Sequence, residues 1–451
     1  MKVWMDVDAV ARAAGQLEDL AREYAVQARR IEEVLAEAGK TSSAPRIARE
    51  TGNLFVEVAG DLRRRVELMR AADGMCWPPV MISAIVDRLP GWTCLSASVA
   101  QRQLDAHLRA GSAPAAIYAW WNSLSGVEQA ALRRSDARLI ASLDGIPPDV
   151  RDEFNRLAVA AQLARLRAEL AELAGREARG PAARGRLVEL RGLIASHEAM
   201  LAGGLTVLVY DPAGDGRAVV ALGDVATASR VGVMVPGITN QLDNYSGMIV
   251  NARRVYARAS RLGSTDHAVV AWLGYDTPEM GLSAAGARRA ERGAVALVGF
   301  VEGVRAVNSR RAEVAVLGHS YGTLVTATAA RKGLGADRVV LAGSPGVGAG
   351  HVSELGMAVG DVYVVRTADD PIRHVFNADE FLGVGSVALS PGQEDAHGPD
   401  PSQPGFGAVP LPYDDRSHGH SQYYSEESLS LANHARVMLG NEPRAQPEVA
   451  G

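Results

Sequence analysis

Lysine is almost missing from this 451-residue chain. Only Lys2, Lys40 and Lys332 contribute to its 47 basic residues, and 52 acidic ones leave a formal charge of −5. With no basic surplus there is no field to hold a phosphate backbone, so nucleic acid is excluded as an expected partner. Cysteine is scarcer still. Cys76 and Cys94 make neither a metal set nor a disulfide framework and read as two buried thiols rather than a pair. No run reaches 18 consecutive apolar residues, and the opening MKVWMDVDAVARAAG lacks a basic stretch followed by an apolar one. Neither a membrane span nor a standard secretory leader is expected. The default location is cytoplasmic, with non-classical export as the alternative.

What is present divides the chain by periodicity. Val7, Val10, Ala14, Leu17, Ala21, Tyr24, Ala28, Ile31 and Leu35 recur three and four apart, the spacing of one helical seam. Gly39 and KTSSAP stop that helix, and Leu54, Val58, Leu62, Val66 and Met69 mark a second that folds back on it. Residues 1–75 are thus expected to form a helical hairpin, a packing, oligomerisation or docking element. Residues 76–203 read as a helical connector. It holds Trp120–Trp121, a packed turn in LDGIPPDVRDEFNR (143–156) with Asp149 or Asp152 near a helix N-terminus, and a second hairpin broken at Gly180–Pro181.

At residue 204 the period changes. LTVLVYD (205–211) and RAVVALG (217–223) flank PAGDG as a β-hairpin. VGVMVPG (231–237), HAVVAWLG (267–274), EVAVLGH (313–319), DRVVLAG (337–343) and DVYVVR (361–366) follow as near-continuous apolar strands separated by helical stretches. Strands apolar along their whole length are buried on both faces, so residues 204–440 are expected to be an α/β domain built on a mostly parallel sheet. Its ligand belongs at the carboxyl ends of the strands. FGAVPLPYD (406–414) reads as a last strand whose prolines require a sheet edge, and SEESLSLANHARVMLG as a helix capped by Ser425 and ending at Gly440. Residues 441–451 are expected to be a flexible tail.

The chemistry concentrates in GHSYG (318–322), a G-x-S-x-G run between a strand and a helix. A serine there sits on a sharp turn. Gly318 and Gly322 remove side chains that would strike the neighbouring strand and helix, and the helix N-terminus favours negative charge developing beside Ser320. A serine hydroxyl needs an imidazole to take its proton and a carboxylate to orient that imidazole. The carboxylate is sought just past the strand 361–366, in TADDPIRH. Asp370, biased to extended backbone by Pro371, is preferred, with Asp369 as competitor. The imidazole is sought in SHGHSQYY (417–424). His420, nearest the following helix, is preferred over His418, and His397 is a more remote candidate. Backbone donors for an oxyanion are expected at Tyr321 and in PGITNQLDNY (236–245), at Ile238 or Thr239. The pattern calls for no metal or cofactor.

Through GHSYG, ADDPI, HGPDPSQPGFGA and GHSQYY, residues about 204–440 resemble an α/β-hydrolase family of uncharacterised function found widely in actinobacteria. AWWNSLSGVEQ, LDGIPPDVRDEFNR and AWLGYDTP extend that resemblance upstream, to about three quarters of the chain. It implies an α/β-hydrolase fold and an esterase-like Ser320, Asp370 and His420 site. The first 75 residues are similar in outline to the helical hairpins of small type VII secretion substrates, with GKTSSAPRIARETG where those carry a Trp-x-Gly turn.

Two functions follow as expectations. One is a serine hydrolase cleaving a small carboxylic ester or related acyl compound through an acyl-enzyme, with 377–412 as pocket wall or lid. The other is a secretion-associated interaction protein that uses the same fold as a scaffold and binds a helical partner, or itself, through residues 1–75.

Overall fold

The structure is a computed structural model. It describes residues 7–37, 90–175, 180–279, 286–374 and 397–446, with isolated positions between 45 and 63. Two compact units share these residues. One runs up to Gln103 and takes in Gly126–Ala131; the other comprises Leu104–Ser125 and the chain from Leu132 onward.

In the first unit, α1 (Val7–Glu37) buries Ala14, Ala21 and Ala28, seven residues apart as the heptad spacing requires. Buried Ala59 and the ion pairs Glu18–Arg63 and Glu32–Arg49 run in the opposite chain direction, the order that an antiparallel helix pair makes. The apolar stripe expected for the second helix, Leu54 to Met69, lies outside the described residues, as does Cys76. Cys94 falls in α2 (Pro90–Ala110).

The second unit is organised by an eight-stranded sheet: β1 (Leu205–Asp211), β2 (Arg217–Leu222), β3 (Arg230–Val235), β4 (His267–Leu273), β5 (Glu313–His319), β6 (Arg338–Ala342), β7 (Val362–Val365) and β8 (Val409–Pro410). Their order is β1-β2-β4-β3-β5-β6-β7-β8. The first two pairings are antiparallel and the rest parallel. Alternate side chains feed opposite layers. Val314 and Val316 of β5 join a core beneath α9 (Arg288–Val307) and α10 (Tyr321–Arg331), whereas Ala315 and Leu317 face α8 (Tyr245–Arg261) and α11 (Leu429–Met438). Both faces are covered, which is why these strands carry no polar alternation. Among the described residues no helix is long and apolar enough to cross a membrane.

Between α2 and β1 come α3 (Pro114–Ser123), α4 (Gly126–Ser135), α5 (Ala137–Ser142), α6 (Pro148–Gly175) and α7 (Pro181–Leu201). Trp120 and Trp121, both buried, meet edge-on at 6.2 Å. The segment around the start of α6 closes the open edge of the sheet. β1 has a partner on one side only, and bare edge N–H and C=O groups are costly to bury and prone to pair with other chains. Four polar side chains of α6 meet them: Asp152 accepts from the Val207 N–H at 2.5 Å, Asn155 donates to Val207 O at 3.0 Å, Arg151 to Leu208 O at 2.8 Å, and Arg156 to Leu205 O. Arg151 also pairs with Asp144 at 2.9 Å.

Two expected elements are redrawn by tertiary contacts. The last strand is only Val409–Pro410, since prolines at 410 and 412 supply no ladder N–H. The final helix begins at Leu429 with Ser428 as its cap, not Ser425: the Ser428 hydroxyl accepts the Leu431 N–H at 3.1 Å. Asp414 accepts the Leu429 N–H at 3.1 Å, and Glu427, held at φ 56°, turns out of the helix to pair with Arg261.

The edge contacts make a stability prediction. Asp152→Ala strands the Val207 N–H and removes the carboxylate that holds Arg156 at 2.8 Å, so the second unit should lose about 1–3 kcal/mol, read from the midpoint of urea unfolding. A change under about 0.5 kcal/mol, the ordinary surface range, would remove the edge-capping role.

Candidate active site

The turn from β5 into α10 is set by its two glycines. A Cβ at Gly322 would lie 2.5 Å from Val235 O and 2.6 Å from Pro236 O, and one at Gly318 would lie 2.8 Å from Thr326 Oγ1 and 2.9 Å from Gly322 O. Only bare backbone lets β5, α10 and the end of β3 approach this closely. Between them Ser320 takes φ 55° and ψ −129°, a conformation that costs a non-glycine residue about 1–3 kcal/mol. Surrounding bonds hold it there. Its N–H donates to Ala342 O at 2.9 Å, and its carbonyl accepts from the Thr323 N–H at 2.9 Å and the Thr323 hydroxyl at 2.7 Å. Ser344 Oγ, 2.7 Å from Thr323 Oγ1, extends the network to the Gly346 N–H at 3.1 Å.

Three side chains far apart in sequence converge on this turn. His420 Nε2 is 2.7 Å from Ser320 Oγ, and His420 Nδ1 is 2.9 Å from Asp370 Oδ1 and 3.1 Å from Oδ2. Asp370 is fully buried. Burial would raise its carboxyl, but hydrogen bonds from His420, Tyr423 and the Ile372 N–H outweigh that and hold it below the usual carboxylate range. It is therefore an ionised acceptor at neutral pH, which puts the ring proton of His420 on Nδ1 and leaves the Nε2 lone pair facing the serine O–H.

The competitors occupy other places. Asp369 is exposed and accepts the Gly419 N–H at 2.9 Å, a bond that lowers its pKa. His418 is exposed, and His397 is buried edge-on to the Tyr321 ring at 5.7 Å. Asp369 thus clamps the histidine loop. Thr367 Oγ1 donates to Gly419 O at 3.0 Å, and His319 Nε2 lies 2.6 Å from His420 O. Burial and then neighbouring His420 lower the pKa of His319 to about 4. Neutral at working pH, it donates from Nε2 and fixes the backbone of the residue whose ring faces Ser320.

Tyr321 opens α10, where the first N–H groups have no acceptor within the helix. Gly237 lies against Ser320 so closely that a Cβ on it would stand 2.9 Å from Ser320 Oγ. Asn240 Nδ2 donates to Ile238 O at 2.9 Å and to Gly237 O at 3.3 Å. In a trans peptide the N–H points opposite its carbonyl, so the Ile238 N–H is turned away from Asn240. The Thr239 N–H is already engaged by Pro278 O at 3.0 Å. Of the two expected donors in this loop, Ile238 is the one left for a ligand. Sequence reading did not single out Asn240, Thr367 or Tyr423, or give His319 a bonding role, because each acts on a partner remote in the chain. The sole local signal was the placement of His319 and Tyr423 inside GHSYG and GHSQYY. The expected lid, 377–412, lies mostly outside the described residues.

The two elbow glycines should differ in cost. Gly322→Ala drives a methyl into two backbone carbonyls, whereas Gly318→Ala also meets the end of a side chain that can shift. Thermal unfolding should show Gly322→Ala as the more destabilised by at least about 1 kcal/mol; equal melting temperatures would contradict this reading of the turn.

Comparisons with known proteins agree with this architecture. A family model described as an alpha/beta hydrolase matches residues 211–379, a span that includes Ser320 and Asp370 and ends before His420. A protein of Mycobacterium tuberculosis (strain ATCC 25618 / H37Rv), itself named as uncharacterized, is 28% identical over 391 residues, covering 75% of this chain and 59% of its own. The chain thus spans 59% of that relative's length. An uncharacterized protein of Mycobacterium bovis is 34% identical over 218 residues, 45% of this chain and 79% of its own. Among solved structures, a highly thermostable carboxyl esterase from Bacillus coagulans in complex with glycerol aligns at 13% identity and TM-score 0.21. That alignment covers 32% of this chain and 46% of the other, an overlap too partial to bear on the reaction. With its antiparallel β2, the parallel run that follows, the serine turn after β5 and these relatives, the chain belongs to the α/β-hydrolase family, in a group whose mycobacterial members are of uncharacterized function.

Proposed function

We propose that this chain is a serine hydrolase that cleaves a carboxylic ester or related small acyl compound through an acyl-enzyme. The observation that carries the reading is the 2.7 Å separation of Ser320 Oγ and His420 Nε2, with Nδ1 of the same ring on a buried, ionised Asp370. In this reading Ser320 attacks the acyl carbonyl as His420 takes its proton. The carbonyl oxygen, now negative, is met by the Tyr321 and Ile238 N–H groups and by the N-terminus of α10. His420 then returns the proton to the departing alcohol, and a water molecule repeats the sequence to release the acid and regenerate Ser320. Asp370 keeps the imidazole in the reactive tautomer and balances its charge during each transfer.

A fluorophosphonate probe tests this directly, because it labels only a serine whose proton can be removed. Wild-type chain should be labelled at Ser320. Ser320→Ala should abolish labelling, and Asp370→Asn and His420→Ala should slow it by about 10³-fold or more. Folded wild-type protein that resists the probe, and hydrolyses neither short- nor long-chain acyl esters, would overturn the proposal.

A further inference from the structure

We propose that Tyr423 is a positioning residue that sets how much of the Asp370 charge is available to His420; this rests on the serine-hydrolase reading above. Tyr423 is fully buried, and its hydroxyl donates to Asp370 Oδ2 at 2.5 Å while accepting the Thr367 N–H at 3.3 Å. Asp370 Oδ1 meanwhile takes the His420 Nδ1–H at 2.9 Å and the Ile372 N–H at 2.8 Å. The carboxylate is shared between two side chains of one short segment: the His420 Nδ1–H, which is nearer Oδ1 but also 3.1 Å from Oδ2, and the phenol three positions after it, which takes Oδ2. Asp370 exposes no surface to solvent. Each donor therefore takes a fixed share of its charge.

The backbone around this contact leaves no room for an alternative. Gly343, at φ 56°, ends β6 beneath the pair, and a Cβ there would lie 3.0 Å from Asp370 Oδ2 and 3.1 Å from the Tyr423 hydroxyl. The other titratable groups nearby are arranged differently. The His319 ring packs from β5 at 5.0 Å from His420 and 5.6 Å from Tyr423, with its proton committed to the His420 carbonyl. His434 of α11 lies beyond His319, bonded through Nδ1 to Ser430 O at 2.8 Å. Asp369 and His418 lie at the exposed rim, with Asp369 bound to the Gly419 N–H. Besides His420, Tyr423 alone among the described residues places a side-chain proton on the carboxylate.

A donor on a carboxylate stabilises its charged form and draws charge away from every other donor it serves. With Tyr423 in place the acid stays ionised without water, and its pull on the imidazole proton is limited. Without the phenol the full charge faces Nδ1, the imidazole holds a second proton to higher pH, and fewer molecules have the free Nε2 that activates Ser320. Tyr423→Phe keeps the ring and removes only the hydroxyl. Replacing Tyr423 with 3-fluorotyrosine, a stronger acid and so a stronger donor, does the opposite.

The experiment measures the rate of fluorophosphonate labelling of the full chain against pH for wild type, Tyr423→Phe and the 3-fluorotyrosine form made by codon suppression. The acidic limb should move up by about one pH unit in Tyr423→Phe and down in the fluorinated form, while the plateau rates change less than the rates on the limb. A common limb in all three, with at most a uniform loss of rate, would reduce Tyr423 to packing and sink the proposal. If Tyr423→Phe does not fold, the direction of the fluorinated limb decides alone: down supports the assignment, and unmoved or up overturns it. A wild-type chain that does not label sinks the hydrolase reading instead, so the two failures are told apart.

Discussion

An ionised carboxylate sealed from water is the constraint around which the rest of this molecule is arranged. Asp370 has no exposed surface, and an isolated charge in that position would be lost to protonation. It stays charged because donors from three places meet it: the Ile372 N–H just after it, the imidazole of His420 and the phenol of Tyr423. Two of these come from a segment about fifty residues away. The loop bearing that segment is tied down by the Asp369, Thr367 and His319 contacts to Gly419 and His420. A single buried charge therefore dictates the placement of two loops and of the proton on the imidazole.

The sheet makes that convergence affordable. Parallel strands buried on both faces bring the carboxyl ends of β3, β5, β6 and β7 to one rim, so that the loop after β3, the Ser320 turn, Gly343 and Asp370 become neighbours without any one segment spanning the site. At Ser320, between two glycines, a strained backbone is held in place by packing on all sides. At the other end of the sheet the exposed edge of β1 is answered by Arg151, Asp152, Asn155 and Arg156, all on one face of α6. The helices before the sheet are thus part of its boundary.

Much of this was legible in the residues. Strands β1 to β7 are uninterrupted apolar runs because both faces are buried, and they lie within a residue or two of where the runs place them, whereas β8 shrinks to two residues. The serine turn announces itself because close backbone approach demands glycine at two fixed offsets. Asp369 and Asp370 could not be separated in this way: they adjoin the same strand end and the same proline, and what divides them is which side chain turns into the core. The polar run PDVRDEFNR read as a packed turn, since its partners are backbone groups of β1 that carry no residue signature. Ser425 looked like a cap until Asp414, distant in sequence, supplied the contact that starts the helix three residues later.

By itself, then, the amino-acid sequence determined the layered α/β architecture and the glycine-flanked turn that carries Ser320, because periodicity and steric demand act over a few neighbouring residues. Tertiary structure alone decided which carboxylate is buried, which imidazole faces the Ser320 hydroxyl, which loop N–H stays unengaged and which phenol donates to the buried carboxylate. Those choices depend on distances between segments remote in the chain, and a hydrogen bond forms or fails over fractions of an ångström that no local pattern records.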